Sequence, residues 1–175
     1  MARPRQRAWL VRKRPRPSWC WQPHSRLTLE TALFYNAYDD LRSLEPGMPE
    51  PGFPTILPVA AANLLEGDAY GVELGPRYQA LDWWAIEAAY TFLNMDLDLK
   101  PGSRDASSVQ DEDRVPHHQF SLHSRMDFGR HWEVDATVRF VDELPDFQID
   151  SYLALDVRVA WKPTQNLEIA LVGQN

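Results

Sequence analysis

The sequence predicts an all-β fold, an antiparallel meander of about seven strands of the kind that forms a transmembrane β-barrel. After residue 26, apolar and polar side chains alternate with a period of two, which is typical of strands with one buried and one wetted face. The alternating runs span about 10 to 13 residues, whereas strands of globular sheets are about 5 to 6 and tilted membrane strands about 9 to 11. Short and long connections also follow one another in turn.

The predicted strands follow in order along the chain. The first three are "LTLETALFYNAYDDL" from residue 27, "AYGVELGPRYQA" from residue 69 and "WWAIEAAYTFLN" from residue 83. The next three are "HQFSLHSRMDF" from 118, "HWEVDATVRF" from 131 and "SYLALDVRVAW" from 151, and the last is "LEIALVGQN", residues 167–175. In the fifth, Trp132, Val134 and Phe140 share a face opposite Glu133 and Arg139, so the pattern predicts which side chains share a medium.

One segment is ambiguous. The alanines and leucines of "FPTILPVAAANLLEG", residues 53–67, would tolerate a helix. Pro54 and Pro58 disfavour a helix through the first half, because proline lacks an amide hydrogen and clashes with the preceding turn. We expect extended backbone that continues into the second strand.

The connections predict where the two ends of the sheet lie. Tight links occur around "ALD", "GR" and "KPTQN", whereas the other links are long and polar, over residues 43–67, 95–116 and 142–150. Short turns at one end and long loops at the other are typical of an outer-membrane barrel. The candidate ligand-contacting loops are those from Pro46 to Pro58, from Pro101 to Pro116 and from Asp142 to Asp150, and no single binding residue can be assigned.

Two further features favour lipid on the apolar side. Aromatic residues gather at strand ends on that face, where an interfacial belt needs them; they are Tyr35, Trp84, Phe128, Trp132, Phe140 and Trp161. The polar face carries both charge signs, which suits a water-filled or plugged lumen; we expect Glu73 with Arg77, Arg125 with Asp127, Glu133 and Asp135 with Arg139, and Asp156 with Arg158. A soluble antiparallel β-barrel or sandwich with a carrier or structural role stays open as the alternative.

Charge divides the chain unevenly. The net charge is −7, yet the first 26 residues contain eight basic residues and no acidic one. We predict a basic, disordered or non-native segment over residues 1–20 and a barrel portion over residues 21–175. Nucleic-acid binding by the basic segment is disfavoured because the remainder of the chain is acidic. The single cysteine, Cys20, has no partner for an internal disulfide.

No residue pattern predicts catalysis, a cofactor or a metal site. His117 and His118 are adjacent, so on a strand they face opposite ways, and His123 lacks an obvious carboxylate partner. Glu133 and Asp135 could form an acid/base pair, but Arg139 on the same face favours a structural charge ladder. We therefore expect a protein that is not an enzyme.

Four strings carry a resemblance to a known family. They are "LFYNAYDDLRS" at 33–43, "GDAYGVELGPRY" at 67–78, "WWAIEAAYTFL" at 83–93 and "LEIALVGQN" at 167–175. In this order they resemble the C-terminal barrel strands of TonB-dependent outer-membrane receptors, and "WQPHSRLTLE" resembles the turn and start of one more strand. The resemblance spans residues 21–175.

The resemblance implies a fold and a function. The family fold is a barrel of about 22 strands around a plug, so this chain would be a fragment similar to the last third of the barrel without its final strand. It implies the cell outer membrane, active uptake of a large nutrient such as a ferric siderophore or corrinoid, and lipid, plug and TonB complex as partners. We expect a fragment from a truncated or frame-shifted gene, because an open sheet in lipid would leave edge amides unpaired, and we do not expect it to transport alone.

Overall fold

The computed structural model describes residues 10–13, 17–164 and 166–175, with side chains described from residue 17 onward. Within these residues, nine antiparallel strands form one sheet. The strands are β1 (Leu10–Lys13), β2 (Ser18–His24), β3 (Leu27–Pro46), β4 (Val59–Leu81), β5 (Trp84–Leu99), β6 (His118–Phe128), β7 (Trp132–Val141), β8 (Tyr152–Thr164) and β9 (Leu167–Gly173). Two short 3₁₀ helices, Ser108–Arg114 and Pro145–Phe147, lie in the loops.

The strand order is that of a meander. From β2 to β9 each strand pairs with the next along the chain, and β1 also pairs with β3. The seven predicted strands correspond to β3 through β9, so the all-β antiparallel class is confirmed. The structure adds β1 and β2; Ser18–His24 was predicted only as far as a turn and strand start.

Three strands are longer than predicted. β3 has 20 residues, β4 has 23 and β5 has 16, whereas the runs predicted for them have 15, 12 and 12 residues. The first long connection is therefore residues 47–58 and not 43–67. The β3–β4 ladder continues to Pro46 opposite Val59, and register shifts after Tyr38 and Leu41 absorb the irregularity without ending the pairing.

The ambiguous segment is extended where it is regular. β4 begins at Val59, and residues 53–58 form an irregular link that contains an isolated bridge from Ile56 to Glu50. The extended prediction is confirmed over residues 59–67. A helix fails there because the alanines of β4 pair with β3, so their amides are used across strands.

Short turns and long loops lie at opposite ends of the sheet. The links between β2 and β3, β4 and β5, β6 and β7, and β8 and β9 are short, and at the β6–β7 turn Gly129 has a φ of 65°. The links over residues 47–58, 100–117 and 142–151 are long. We call these the turn end and the loop end.

The structure describes only part of the region in which the chain was predicted to divide, between residues 20 and 21. Residues 1–9 and 14–16 lie outside the described residues, whereas residues 18–20 belong to β2. The division stays a prediction.

Candidate functional site

The sheet has one apolar face that is uncovered in the part of the chain that the structure describes. Leu153 keeps 64% of its surface exposed, Leu155 48% and Leu171 78%. On a soluble sandwich a second layer would cover such side chains. An uncovered apolar face of this length is instead suited to contact lipid.

Aromatic rings line this face at the turn end, as predicted. Trp132 and Trp161 are direct cross-strand partners and stack with ring centroids 6.0 Å apart. Trp84 donates a hydrogen bond from Nε1 to Ser124 Oγ at 2.9 Å, so the hydroxyl on the apolar face has a partner. We call Trp84, Phe128, Trp132 and Trp161 the turn-side belt.

At the loop end the two faces exchange character. The apolar face of β5 presents Trp84, Ile86, Ala88, Tyr90 and Phe92, and then Asn94, Asp96 and Asp98. The opposite face presents Glu87, Ala89 and Thr91, and then Leu93, Met95, Leu97 and Leu99. β4 changes at the same level, with Tyr70 followed toward the loop end by Asp68 and Glu66.

Tyrosines mark this level of exchange. Tyr35 donates a hydrogen bond to Asp68 Oδ1 at 2.6 Å, and Asn94 donates to the Tyr70 hydroxyl at 3.0 Å. Tyrosine with its ring toward an apolar layer and its hydroxyl toward polar groups is typical of a membrane interface. We call Tyr35, Tyr70 and Phe140, which marks the same end of β7, the loop-side belt.

The distance between the belts fits a bilayer. On β7, Trp132 and Phe140 are eight residues apart, which is about 27 Å along the strand and about 20 Å along a barrel axis at ~40° tilt. The apolar band of outer-membrane barrels is about 25 Å tall. The apolar layer therefore ends near Tyr70 and Asn94, and β3, β4 and β5 extend beyond it.

The other face carries a ladder of ion pairs on β7, β8 and β9. Arg158 Nη1 lies 3.1 Å from Asp135 and 3.4 Å from Glu133, and its other terminal nitrogen contacts Glu168. Lys162 contacts Glu133 and Glu168. These side chains are 25% to 40% exposed, so a single pair contributes only about 0 to 1 kcal/mol. The ladder therefore places opposite charges beside one another along this face.

The partners within the ladder differ from those predicted. Arg139 pairs with Asp156 at 2.7 Å and not with Glu133 or Asp135, while Arg158 takes those two carboxylates. Asp135 is the direct cross-strand partner of Arg158, and Asp156 is a diagonal cross-strand neighbour of Arg139, at distances of about 5 Å and about 7 to 8 Å. Along β7 itself, Asp135 lies four residues from Arg139, which is about 13 Å. The pairing is therefore decided by register, which the sequence does not display.

Arg77 also pairs across strands. It lies 3.8 Å from Glu87 of β5, its cross-strand partner, and not beside the predicted Glu73. The proposed acid/base pair of Glu133 and Asp135 becomes part of the ladder, as the structural interpretation expected.

The histidines occupy separate places. His118 Nδ1 lies 2.9 Å from the Tyr90 hydroxyl, while the His117 carbonyl accepts from the Leu93 amide. His123 Nε2 is 3.4 Å from Asp135, so the expectation that it lacks a carboxylate partner is wrong. No cluster of three metal-ligating side chains occurs among the described residues, and no helix there is long and apolar enough to cross a membrane.

At the loop end, the link from β5 to β6 folds back onto the sheet. We call residues 101–117 the strap. Its 3₁₀ helix, Ser108–Arg114, lies over the face where Leu65 and Leu97 are 3% and 7% exposed. A cavity of about 320 Å³ between strap and sheet is lined by Leu41, Arg42, Leu44, Leu65, Met95, Leu97, Ser108 and Asp111. The strap therefore explains why apolar side chains appear on the otherwise charged face.

One buried carboxylate fixes the strap to β3. Asp105 is 2% exposed and accepts the Leu44 amide at 2.6 Å. It also accepts the Ser107 amide and hydroxyl, both at 2.9 Å, and the amide and hydroxyl of Ser108. Burial by itself would raise the pKa of Asp105, but the hydrogen bonds from Ser108, Leu44 and Ser107 outweigh it and hold the pKa well below its usual range.

Three further residues, Glu45, Lys100 and Glu112, make contacts beside this attachment. Glu45 accepts the Arg104 amide at 2.6 Å and the Ser103 hydroxyl at 2.7 Å, and these bonds lower the Glu45 pKa. Lys100 contacts Asp39 and Asp40, which raise the Lys100 pKa. In addition, Glu112 accepts the Leu97 amide at 3.2 Å, beyond the last β5–β6 pair.

The strap also contacts the loop of residues 142–151. Arg114 binds Asp146 of that loop and Asp111 of its own helix. Its guanidinium carbon lies 5.6 Å from the centre of the Phe147 ring. Two of the three predicted loop candidates, Pro101–Pro116 and Asp142–Asp150, are thus brought together.

Sequence reasoning missed the strap and the exchange of faces. The signal was present in "FLNMDLDL", residues 92–99, where the alternation continues but Asn94, Asp96 and Asp98 replace apolar residues in the lipid-facing series. A change of phase within an unbroken strand marks the end of the apolar medium.

Comparisons with known proteins agree with this geometry. A sequence model described as TonB dependent receptor-like, beta-barrel matches residues 14–175. No curated protein matches the chain.

Solved structures share the fold. The chain is similar to the alcaligin outer-membrane receptor of Bordetella pertussis, with 24% identity, a TM-score of 0.53 and coverage of 86% of this chain and 24% of that one. It is similar to a siderophore receptor of Acinetobacter baumannii at 20% identity, TM-score 0.62, over 89% of this chain and 22% of that one. It is also similar to a ferric-catecholate import receptor of E. coli K12 at 18% identity, TM-score 0.62, over 90% and 22%. The chain spans about a quarter of the length of these solved proteins.

Proposed function

Because the chain belongs to the family of TonB-dependent receptor β-barrels, we propose that it is a wall segment of a receptor for active uptake of a large nutrient. The family is one of outer-membrane proteins, so the cell outer membrane is the location of the full-length receptor. The nutrient class that we propose is a ferric siderophore, with a corrinoid as the second candidate. Of the three similar structures named above, one is described as a siderophore receptor and one as a ferric-catecholate import receptor.

The observation that carries the proposal is the pair of faces between the two belts. One face is apolar and uncovered, and the other carries the Arg158 and Lys162 ladder. An apolar outside and a charged inside are what a barrel wall needs when lipid lies on one side and a hydrated passage on the other. A soluble carrier would require the opposite placement, with the apolar face inward.

Its partners in this proposal are outer-membrane lipid on the apolar face and, through the remainder of a receptor, a plug domain and the TonB complex. The wall contributes passive guidance and no bond-making chemistry, since receptors of this family act as transporters. We further propose that residues 21–175 are the receptor portion and that the chain does not transport by itself.

Fractionation tests the location, and uptake tests the function. The chain should sediment with outer membranes and need detergent for release, whereas a monodisperse monomer without detergent would overturn the proposal. Cells in which residues 21–175 replace the matching segment of a siderophore receptor should accumulate radioactive iron-siderophore under iron limitation. The same cells carrying Ala136→Arg should show less membrane-inserted receptor and less uptake; cobalamin accumulation instead of iron would select the corrinoid.

A further inference from the structure

The loop end contains two attachments of different strength. The first holds the strap to β3 through Asp105, which is 2% exposed and accepts the Leu44 amide of β3. Its other four hydrogen bonds come from Ser107 and Ser108 of the strap itself and fix the carboxylate in place. The second holds the 142–151 loop to the strap through Arg114, whose side chain is 41% exposed. A buried, multiply bonded carboxylate resists water and salt far better than an exposed ion pair.

Apolar contacts support the same ranking. The strap covers Leu65 and Leu97, which are 3% and 7% exposed. The 142–151 loop instead offers Phe147 and Ile149, which remain 54% and 47% exposed. Lifting the strap would therefore expose a buried apolar surface, whereas lifting the loop would expose little beyond what water already reaches.

Polar side-chain contacts between the two loops are few, although their 3₁₀ helices, Ser108–Arg114 and Pro145–Phe147, lie close together. The Arg114 side chain reaches Asp146 and lies over Phe147, and within the described residues no other side-chain hydrogen bond or ion pair joins strap and loop. The ends of the loop continue into β7 and β8, which pair with each other from Trp132 opposite Trp161 to Val141 opposite Tyr152. The loop can therefore swing while both strands stay paired.

We propose that the strap is a fixed cover on this side of the lumen mouth and that Arg114 is a latch that holds the 142–151 loop against it. The loop opens by release of Arg114 from Asp146 and Phe147, while Asp105 keeps the strap in place. Access to the charged face near β7 and β8 is thus controlled by one exposed cation. This inference rests on the proposed function in one respect, namely that the lumen mouth admits a nutrient.

Distances between spin labels test the device without any transport measurement. In the full chain in detergent micelles, with Cys20→Ser as background, Ala60→Cys with Ala106→Cys reports the strap against β4. Gln110→Cys with Glu143→Cys reports the loop against the strap. All four labelled positions are exposed, and circular dichroism checks that the β content is kept.

Each variant has a distinct expected result. Arg114→Gln should broaden the 110–143 distribution about twofold and leave the 60–106 distribution unchanged, and a rise from about 0.1 to about 1 M NaCl should act in the same direction. Asp105→Ala should broaden both distributions, because the latch is carried by the strap. Asp105→Asn keeps one acceptor oxygen, so its distributions should be intermediate in width between those of the unsubstituted chain and Asp105→Ala. It replaces Asp105→Ala if that variant does not fold.

Two results would overturn the device. A narrow 110–143 distribution in Arg114→Gln would show that Arg114 is not the latch, and a broad 60–106 distribution in that variant would show that the strap depends on it. These outcomes are independent of fractionation and uptake, so failure of the latch and failure of the receptor assignment remain distinguishable.

Discussion

A charge placed on the apolar face should cost stability in proportion to its depth between the belts. Ala136 is four residues from both Trp132 and Phe140 on β7, so it lies at the middle of the apolar layer. An arginine at the midplane of a membrane barrel costs about 2 to 4 kcal/mol, falling to about 0 to 1 near the interfaces. We expect Ala136→Arg to lower the free energy of unfolding by that larger amount.

The neighbouring residue provides the matched control. Thr137 faces the ladder and pairs in register with His123 and Asp156. One carboxylate oxygen of Asp156 is buried without a hydrogen-bond partner among the described residues, so a new arginine there has an acceptor. Thr137→Arg should therefore change stability by no more than about 0.5 kcal/mol.

The assay is equilibrium guanidinium unfolding in phospholipid vesicles, followed by tryptophan fluorescence. Val134→Arg, two residues from Trp132, should fall between the interface and midplane values. Equal losses at positions 136 and 137, or no dependence on depth across 134 and 136, would refute the assignment of the apolar face to lipid. Retained stability of all variants in buffer without lipid would favour a soluble sheet.

Three further predictions concern packing, charge and pH. Gly71→Ala should destabilise the fold by about 1 to 3 kcal/mol, because the new Cβ would lie 2.0 Å from a backbone oxygen of β5. Gly75→Ala is the control and should be tolerated, since the nearest atom to its Cβ lies at 3.7 Å. The melting temperatures of the two variants test this difference. Arg158→Met should cost about 1 kcal/mol, because Asp135 loses its arginine while Glu133 and Glu168 keep only Lys162. The loss should shrink at high salt; an unchanged midpoint in guanidinium-free thermal unfolding would contradict this. The folded-state pKa of Asp105 is depressed, so its contribution to the free energy of unfolding should be complete above about pH 4 and should fade as the pH falls below that value. Hydrogen exchange of the Leu44 amide, corrected for its intrinsic rate, should therefore accelerate below about pH 4 and not near neutral pH.

Much of the sheet could be predicted because its evidence is local. Alternation assigns Trp132, Val134 and Phe140 to one face whatever lies beyond it, and the turn residues around Gly129 mark a strand end without reference to partners. The strand lengths of β3 to β5 could not be predicted in this way. Beyond the apolar layer these strands still alternate with a period of two, but polar residues now occupy the positions that face lipid nearer the turn end. Judged by polarity alone, such a stretch looks like a loop.

The candidate site shows the same limit more sharply. Asp105 lies in a polar, loop-like string, and its sequence surroundings indicate a solvated turn. Its burial depends on Leu44, 61 residues away, whose amide it accepts. Arg114 and Asp146, 32 residues apart, are similarly joined only when two loops meet at one end of the sheet.

The sequence by itself determined the class of fold, the alternating faces, the aromatic belt at the turn end and the end of the sheet at which the long loops gather, because each follows from side-chain period and turn chemistry along a continuous stretch. Only the tertiary structure decided which charges pair, where the apolar layer ends on β3 to β5, and that the loop after the "HWEVDATVRF" strand contacts the strap through Arg114. Those features depend on cross-strand register and on contacts between distant segments, and register sets which side chains come within about 5 Å of one another.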